Sequence, residues 1–167
     1  MPETSTRRDG SSVLQYSTKE TAQAIRAALR TAFPAVRFSV TTKYGSMYAA
    51  VNVAWTDGPT EPEVDRITGR YSSKTFDGSD DSTHYHDQIV DGARVRYSGW
   101  INTSRHISPA LWTRAIARVQ ATAGRPIDLR WDAGSGFTGA DAHGEYRDQL
   151  YQTARRMRPN GVLVTLK

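Results

Sequence analysis

Apolar residues in this chain fall in short runs whose period switches repeatedly between that of a helix and that of a strand. That alternation confines the chain to a mixed architecture with small sheets. Ser17 and Glu20 have the spacing of a capping box, and Ala22, Ile25, Leu29 and Ala32 or Phe33 then recur at helical spacing until Pro34 ends the helix. Residues 36–42 alternate, with Val36, Phe38 and Val40 against Arg37, Ser39 and Thr41. After a turn at Tyr44-Gly45-Ser46, residues 47–55 place Met47, Ala49, Val51, Val53 and Trp55 on one face, so the two runs predict an antiparallel hairpin. A turn at 56–59 leads through Thr60, Pro62 and Glu63 into a short helix with Val64, Ile67 and Tyr71 inward.

Residues 72–92 are rich in Asp, Ser, His and Gly and read as a long loop. A third strand is expected over 93–103, with Val95, Tyr97 and Ile101 inward. Ser108-Pro109 then starts a helix whose apolar stripe is Trp112, Ala115, Ile116 and Val119. A short strand at 127–131, a helix at about 141–157 and a closing strand at 162–166 complete the order α-β-β-α-loop-β-α-β-α-β. The expected class is α+β, with mostly antiparallel sheet and about four helices.

With 167 residues the chain can bury a core of its own. Residues 1–15 read as a disordered polar tail with no apolar signal region. Residues 16–167 read as one α+β unit, or as two halves, 16–75 and 92–167, joined by the polar loop. No run is apolar enough to span a bilayer, so no membrane partner is expected. The absence of cysteine excludes disulfides and cysteine-based zinc sites. No cofactor motif is present, and the cytoplasm of a host cell is the expected location.

The charge is +5 and the pI about 9.7, and arginine supplies 18 of the 22 cationic side chains. Arginine can fork two hydrogen bonds onto a phosphate or carboxylate, which lysine cannot. The charges are segregated: 57–91 carries nine acidic and three basic side chains, and 92–131 seven basic and one acidic. Arg94, Arg96, Arg105, Arg114 and Arg118 sit among Tyr97, Trp100 and Trp112. Cations interleaved with aromatic rings are what a nucleic-acid surface uses. Arg26, Arg30, Arg37 and Lys43 form a second candidate patch, on the first helix and hairpin.

Asp77, Asp80, His84 and His86 gather carboxylates and imidazoles, the donor set of a divalent metal site or of a solvated acidic loop. GSGFTG at 134–139 has the strand-to-helix context of an anion-binding loop but lacks the Gly-Lys-Ser/Thr of a P-loop. His106 lies near Ser104 and Ser108, yet nothing marks an oxyanion hole. A binding protein is expected here, not an enzyme.

Three runs carry a family resemblance: residues 33–40 (FPAVRFSV), 51–60 (VNVAWTDGPT) and 76–80 (FDGSD). They resemble the large polyvalent protein-associated domain of type 29, and Tyr97 with Ser104-Arg105-x-x-Ser108 is similar to that family's C-terminal extension. The chain departs in carrying Ser79 where methionine is usual, and in the segment after 125. The resemblance implies a protein of phages, plasmids or conjugative elements that helps a mobile element establish itself, acting against host defence. It supplies no catalytic residues. Three functions follow as expectations: an accessory protein that binds DNA or RNA through its arginines, an inhibitor that binds a host defence protein through the acidic 57–91 region or the charge boundary, and a metal-dependent nuclease centred on Asp77, Asp80, His84 and His86.

Overall fold

The computed structural model describes residues 1–46 and 48–164. In chain order the elements are β1 (Glu3–Thr6), β2 (Ser12–Tyr16), α1 (Thr18–Ala32), β3 (Phe38–Tyr44), β4 (Ala49–Thr56), α2 (Glu61–Thr68), β5 (Lys74–Asp77), β6 (Ser82–Tyr85), β7 (Gln88–Val90), β8 (Ala93–Tyr97) and β9 (Trp100–His106). They are followed by α3 (Pro109–Thr122), β10 (Arg130–Asp132), β11 (Gly136–Thr138) and α4 (Glu145–Arg156). The class is α+β, as the alternation of periods requires. The chain forms two compact units: Met1–Ala54 with Glu63–Ser104, and Trp55–Pro62 with the chain from Arg105 onward. This division differs from halves at 16–75 and 92–167. The 72–92 segment lies inside the first unit, and 55–62 goes with the second.

In the first unit Ser17 caps α1. Its Oγ accepts the Glu20 N–H at 3.3 Å while the Glu20 carboxylate accepts the Ser17 N–H at 3.0 Å. Thr21, Ala22, Ile25 and Leu29 form the buried stripe of the helix, leaving Arg26 and Arg30 on its exposed side. One sheet has the order β1-β2-β8-β7, with β2 and β8 parallel and the other pairs antiparallel. A second sheet has the order β3-β4-β9.

Three expectations change here. Residues 1–15 carry β1 and β2 instead of a tail, because backbone pairing depends little on side-chain polarity and Val13, only 2% exposed, anchors β2. The 72–92 segment is not a loop. β5 and β6 pair as a hairpin and β7 edges the larger sheet, with Ser73 fully buried and its Oγ accepting the Tyr97 N–H at 3.0 Å. The expected strand 93–103 is two strands in different sheets. They break at Gly99, whose φ of 98° and Cβ approach of 2.9 Å to Thr18 Cγ2 suit glycine alone.

The second unit is built on Leu111, Trp112, Ala115, Val119, Leu129, Ala142, Leu150, Ala154 and Met157. Ser108 caps α3 by accepting the Leu111 N–H at 3.2 Å, with Pro109 in the first turn. Fully burying a side chain such as Leu150 stabilises the fold by about 1.5–3 kcal/mol. The strand expected at 127–131 is shorter, and it pairs with β11 out of the glycine-rich run. Gly139 ends that hairpin; a Cβ there would collide with the Asp128 carbonyl oxygen. The closing strand is reduced to a bridge between Met157 and Leu163, and residues 165–166 of the expected strand lie outside the described residues.

Candidate nucleic-acid interface

Arg26 and Arg30 stand one turn apart on α1, and Arg37 follows the Pro34 turn on the way into β3. All three line one depression of about 390 Å³, with Pro34, Val36 and Phe38. Arg26 Nη2 donates to the Val40 carbonyl at 2.6 Å, which tethers the side chain across to β3. Among the described residues, none of the three joins an ion pair. Lys43 is exposed on β3 but lies outside this depression.

Arg94 and Arg96 share a face of β8, as the period of 2 requires, but they are engaged. Arg96 donates through Nε to Asp87 at 2.9 Å, and Arg7 Nη2 reaches the other carboxylate oxygen at 2.6 Å. Arg94 completes the group at 3.9 Å. The Asp87 side chain is only 6% exposed, so one carboxylate organises three guanidinium groups. Sequence reasoning misses both Arg7 and Asp87, which lie 80 positions apart.

Arg105 is engaged within the second unit. Its guanidinium caps the end of α4 by donating to the carbonyls of Ala154 (3.2 Å), Arg155 (3.0 Å) and Met157 (2.7 Å), and Nε donates to Asp57 O at 2.8 Å. A cation at a helix C-terminus satisfies the free carbonyls and complements the dipole. Arg105 therefore helps to build the fold. Arg114 and Arg118 are exposed on α3 and form no ion pair among the described residues. Trp112 is core.

The residues of the WTDGPT run close on the same place. Asp57 has a φ of 53°. Its N–H donates to His106 O at 2.8 Å, and its Oδ1 accepts the Ser108 N–H at 2.8 Å. Trp55 Nε1 donates to Pro59 O at 2.9 Å, and Thr60 is fully buried. The 55–60 turn and the run from Arg105 to Ser108 thus fasten one another.

The tip of the β5–β6 hairpin brings Asp77, Asp80 and His84 together, each offering a ligand atom within 4.8 Å of the others, all exposed. His86 is exposed and does not join them. Asp77 Oδ1 accepts the Ser79 N–H and hydroxyl at 2.9 and 2.7 Å, which hold its carboxyl below the usual carboxylate range. His84 Nε2 lies 2.9 Å from Ser82 Oγ. In GSGFTG the Gly134 and Ser135 N–H groups donate to Asp132 Oδ1 at 2.9 and 2.7 Å. Two of that loop's backbone donors are thus taken by the chain's own carboxylate.

A family model described as large polyvalent protein associated domain 29 matches residues 16–108. The chain belongs to this family. The matched segment holds the arginine-lined depression, Asp87 with Arg94 and Arg96, and the 55–60 turn, and it ends at the cap of α3. The α3, β10, β11 and α4 elements lie beyond it. No curated protein and no solved structure matches the chain. No helix among the described residues is long and apolar enough to cross a membrane.

Proposed function

We propose that this chain is an accessory protein of a mobile genetic element whose first unit grips the backbone of DNA or RNA through Arg26, Arg30 and Arg37. The supporting observation is their convergence on one depression with no carboxylate paired to any of them among the described residues. Guanidinium groups left without an internal anion are free to neutralise phosphates, and the half-buried Phe38 beside them gives a base an apolar edge. Lys43, Arg114 and Arg118 add charge that steers encounter without fixing geometry. The role is binding, not catalysis.

The test is fluorescence anisotropy with a labelled oligonucleotide across a salt series. Replacing Arg26, Arg30 and Arg37 by Ala should flatten the slope of log K against log salt by about 2 to 3, close to one for each phosphate no longer neutralised. An unchanged slope overturns the reading.

A second reading, a protein-binding inhibitor of host defence, is favoured by Phe76, Tyr85 and Ile89, which are exposed in an acidic segment. It predicts a host protein that co-purifies with the wild type and is lost from a Phe76→Ser/Tyr85→Ser variant. Capture that is indifferent to those changes removes it.

A further inference from the structure

The second unit contains a cavity of about 370 Å³, within the size range of small-ligand sites. Its apolar walls are Trp112, Trp131, Tyr151 and Ile107, with His106 and Arg155 among its polar lining. Trp112 and Trp131 lie stacked, centroids 5.3 Å apart and planes 27° from parallel, and Tyr151 stands at 83° to Trp112. The Trp131 indole nitrogen is buried and has no hydrogen-bond partner among the described residues. A buried N–H donor left unpaired costs free energy that an acceptor would return. Arg155, 60% exposed, pairs with Glu61 at 3.2 Å, an exposed contact that a phosphate can replace. Arg105, also in the lining and committed to the α4 carbonyls, adds the field of a second cation against the single Glu61 carboxylate.

We infer that this cavity binds a nucleobase carrying a 5′-phosphate, the base against Trp131 and Tyr151 and the phosphate on Arg155. Aromatic walls favour a flat π system over an aliphatic chain. A base also brings ring acceptors of the kind an indole N–H pairs with. An excess of guanidinium over carboxylate selects an anionic end. The three aromatic walls and Arg155 come from the part of the chain beyond the family-matched segment. The cavity's lining shares no residue with the arginine depression on α1.

The shared chemistry has two sources, a free nucleotide and the phosphorylated end of a strand. The experiment follows the indole N–H signals of ¹⁵N-labelled protein during titration with AMP, adenosine, inorganic phosphate, phenylacetate and a 5′-phosphorylated oligonucleotide. Expected are shifts of the Trp131 and Trp112 signals with AMP, weaker ones with adenosine, and none with phosphate. Arg155→Ala should weaken AMP at least about fivefold while leaving adenosine unchanged, as removal of one charged phosphate contact implies. Trp131→Phe, which keeps a ring but removes the donor, should weaken both. Tighter binding of the oligonucleotide assigns the site to strand ends, and tighter AMP binding assigns it to free nucleotide. Either supports the inference. No shift at millimolar AMP or oligonucleotide overturns it, and so do equal shifts with phosphate or with phenylacetate. The same titration on the Arg26→Ala/Arg30→Ala/Arg37→Ala variant keeps the result separate from the α1 depression.

Discussion

Two groups of three arginines lie in the first unit, and they have opposite fates. Arg26, Arg30 and Arg37 surround a depression lined by no carboxylate among the described residues, whereas Arg7, Arg94 and Arg96 surround Asp87. Residue type and number are the same in both. A single carboxylate delivered by the chain between β6 and β7 turns one group into a structural clasp. Cation count alone is therefore a poor guide to a binding face. What matters is whether the fold brings a counter-charge to it.

The strongest way to break that comparison is Asp87→Asn. It leaves three guanidinium groups crowded around a neutral amide, one carboxylate short. A drop of about 1–3 kcal/mol in a urea melt is expected, since the buried carboxylate loses its charge-assisted hydrogen bonds from Arg7 and Arg96, whose own guanidinium groups still reach water. The same variant should gain salt-sensitive DNA binding as its arginines are released. A melt indistinguishable from wild type would show that the clasp holds nothing together.

Next in size is a comparison of alanine variants in the two groups. Arg26→Ala/Arg30→Ala/Arg37→Ala is expected to lower oligonucleotide affinity by about tenfold or more at roughly 0.1 M salt, and Arg94→Ala/Arg96→Ala by no more than about twofold. Equal decreases in the two, measured by anisotropy, would erase the distinction. Ser17→Ala tests the platform under the first group. Removing the cap should cost about 1 kcal/mol by denaturation and loosen α1 without touching the β8 clasp.

A smaller effect is expected when the second unit is acidified. Asp141 is held below the usual carboxylate range chiefly by the Arg125 guanidinium, and Asp128 chiefly by the Ala140 N–H. Depressed folded-state values mean stability that is present above the ordinary aspartate value, near about 4, and lost as the pH falls through the lowered ones. The near-ultraviolet signal of Trp112 and Trp131 should fade over that window, and earlier in Asp141→Asn. The least change is expected at the hairpin tip. Plasmid DNA incubated with the protein and Mn²⁺ should stay intact, and cleavage abolished by Asp77→Ala would overturn a purely binding role.

The depression on α1 is legible in the sequence because the i, i+4 spacing of Arg26 and Arg30 and the Pro34 stop are local signals. The caps at Ser17 and Ser108 are legible for the same reason. Long-range pairing leaves no such trace. Arg105 looks like any exposed strand arginine until the carbonyls of α4, about 50 positions later, come to meet it. β1, β5 and β6 escape notice because strands with solvated faces carry the composition of loops. The aromatic cavity is hidden because Trp112, Trp131 and Tyr151 each read as single positions on separate elements, and only the fold groups them.

The backbone passes from one unit to the other three times, after Ala54, Pro62 and Ser104. A single cleavage can therefore give neither unit free of the other's chain: a cut after Ser104 leaves the first unit carrying 55–62, and a cut after Ala54 leaves the second carrying 63–104. A gene fragment ending near residue 108 would encode Arg105 without the α4 carbonyls it caps, and would strand 55–62 and 105–108 from the rest of the second unit.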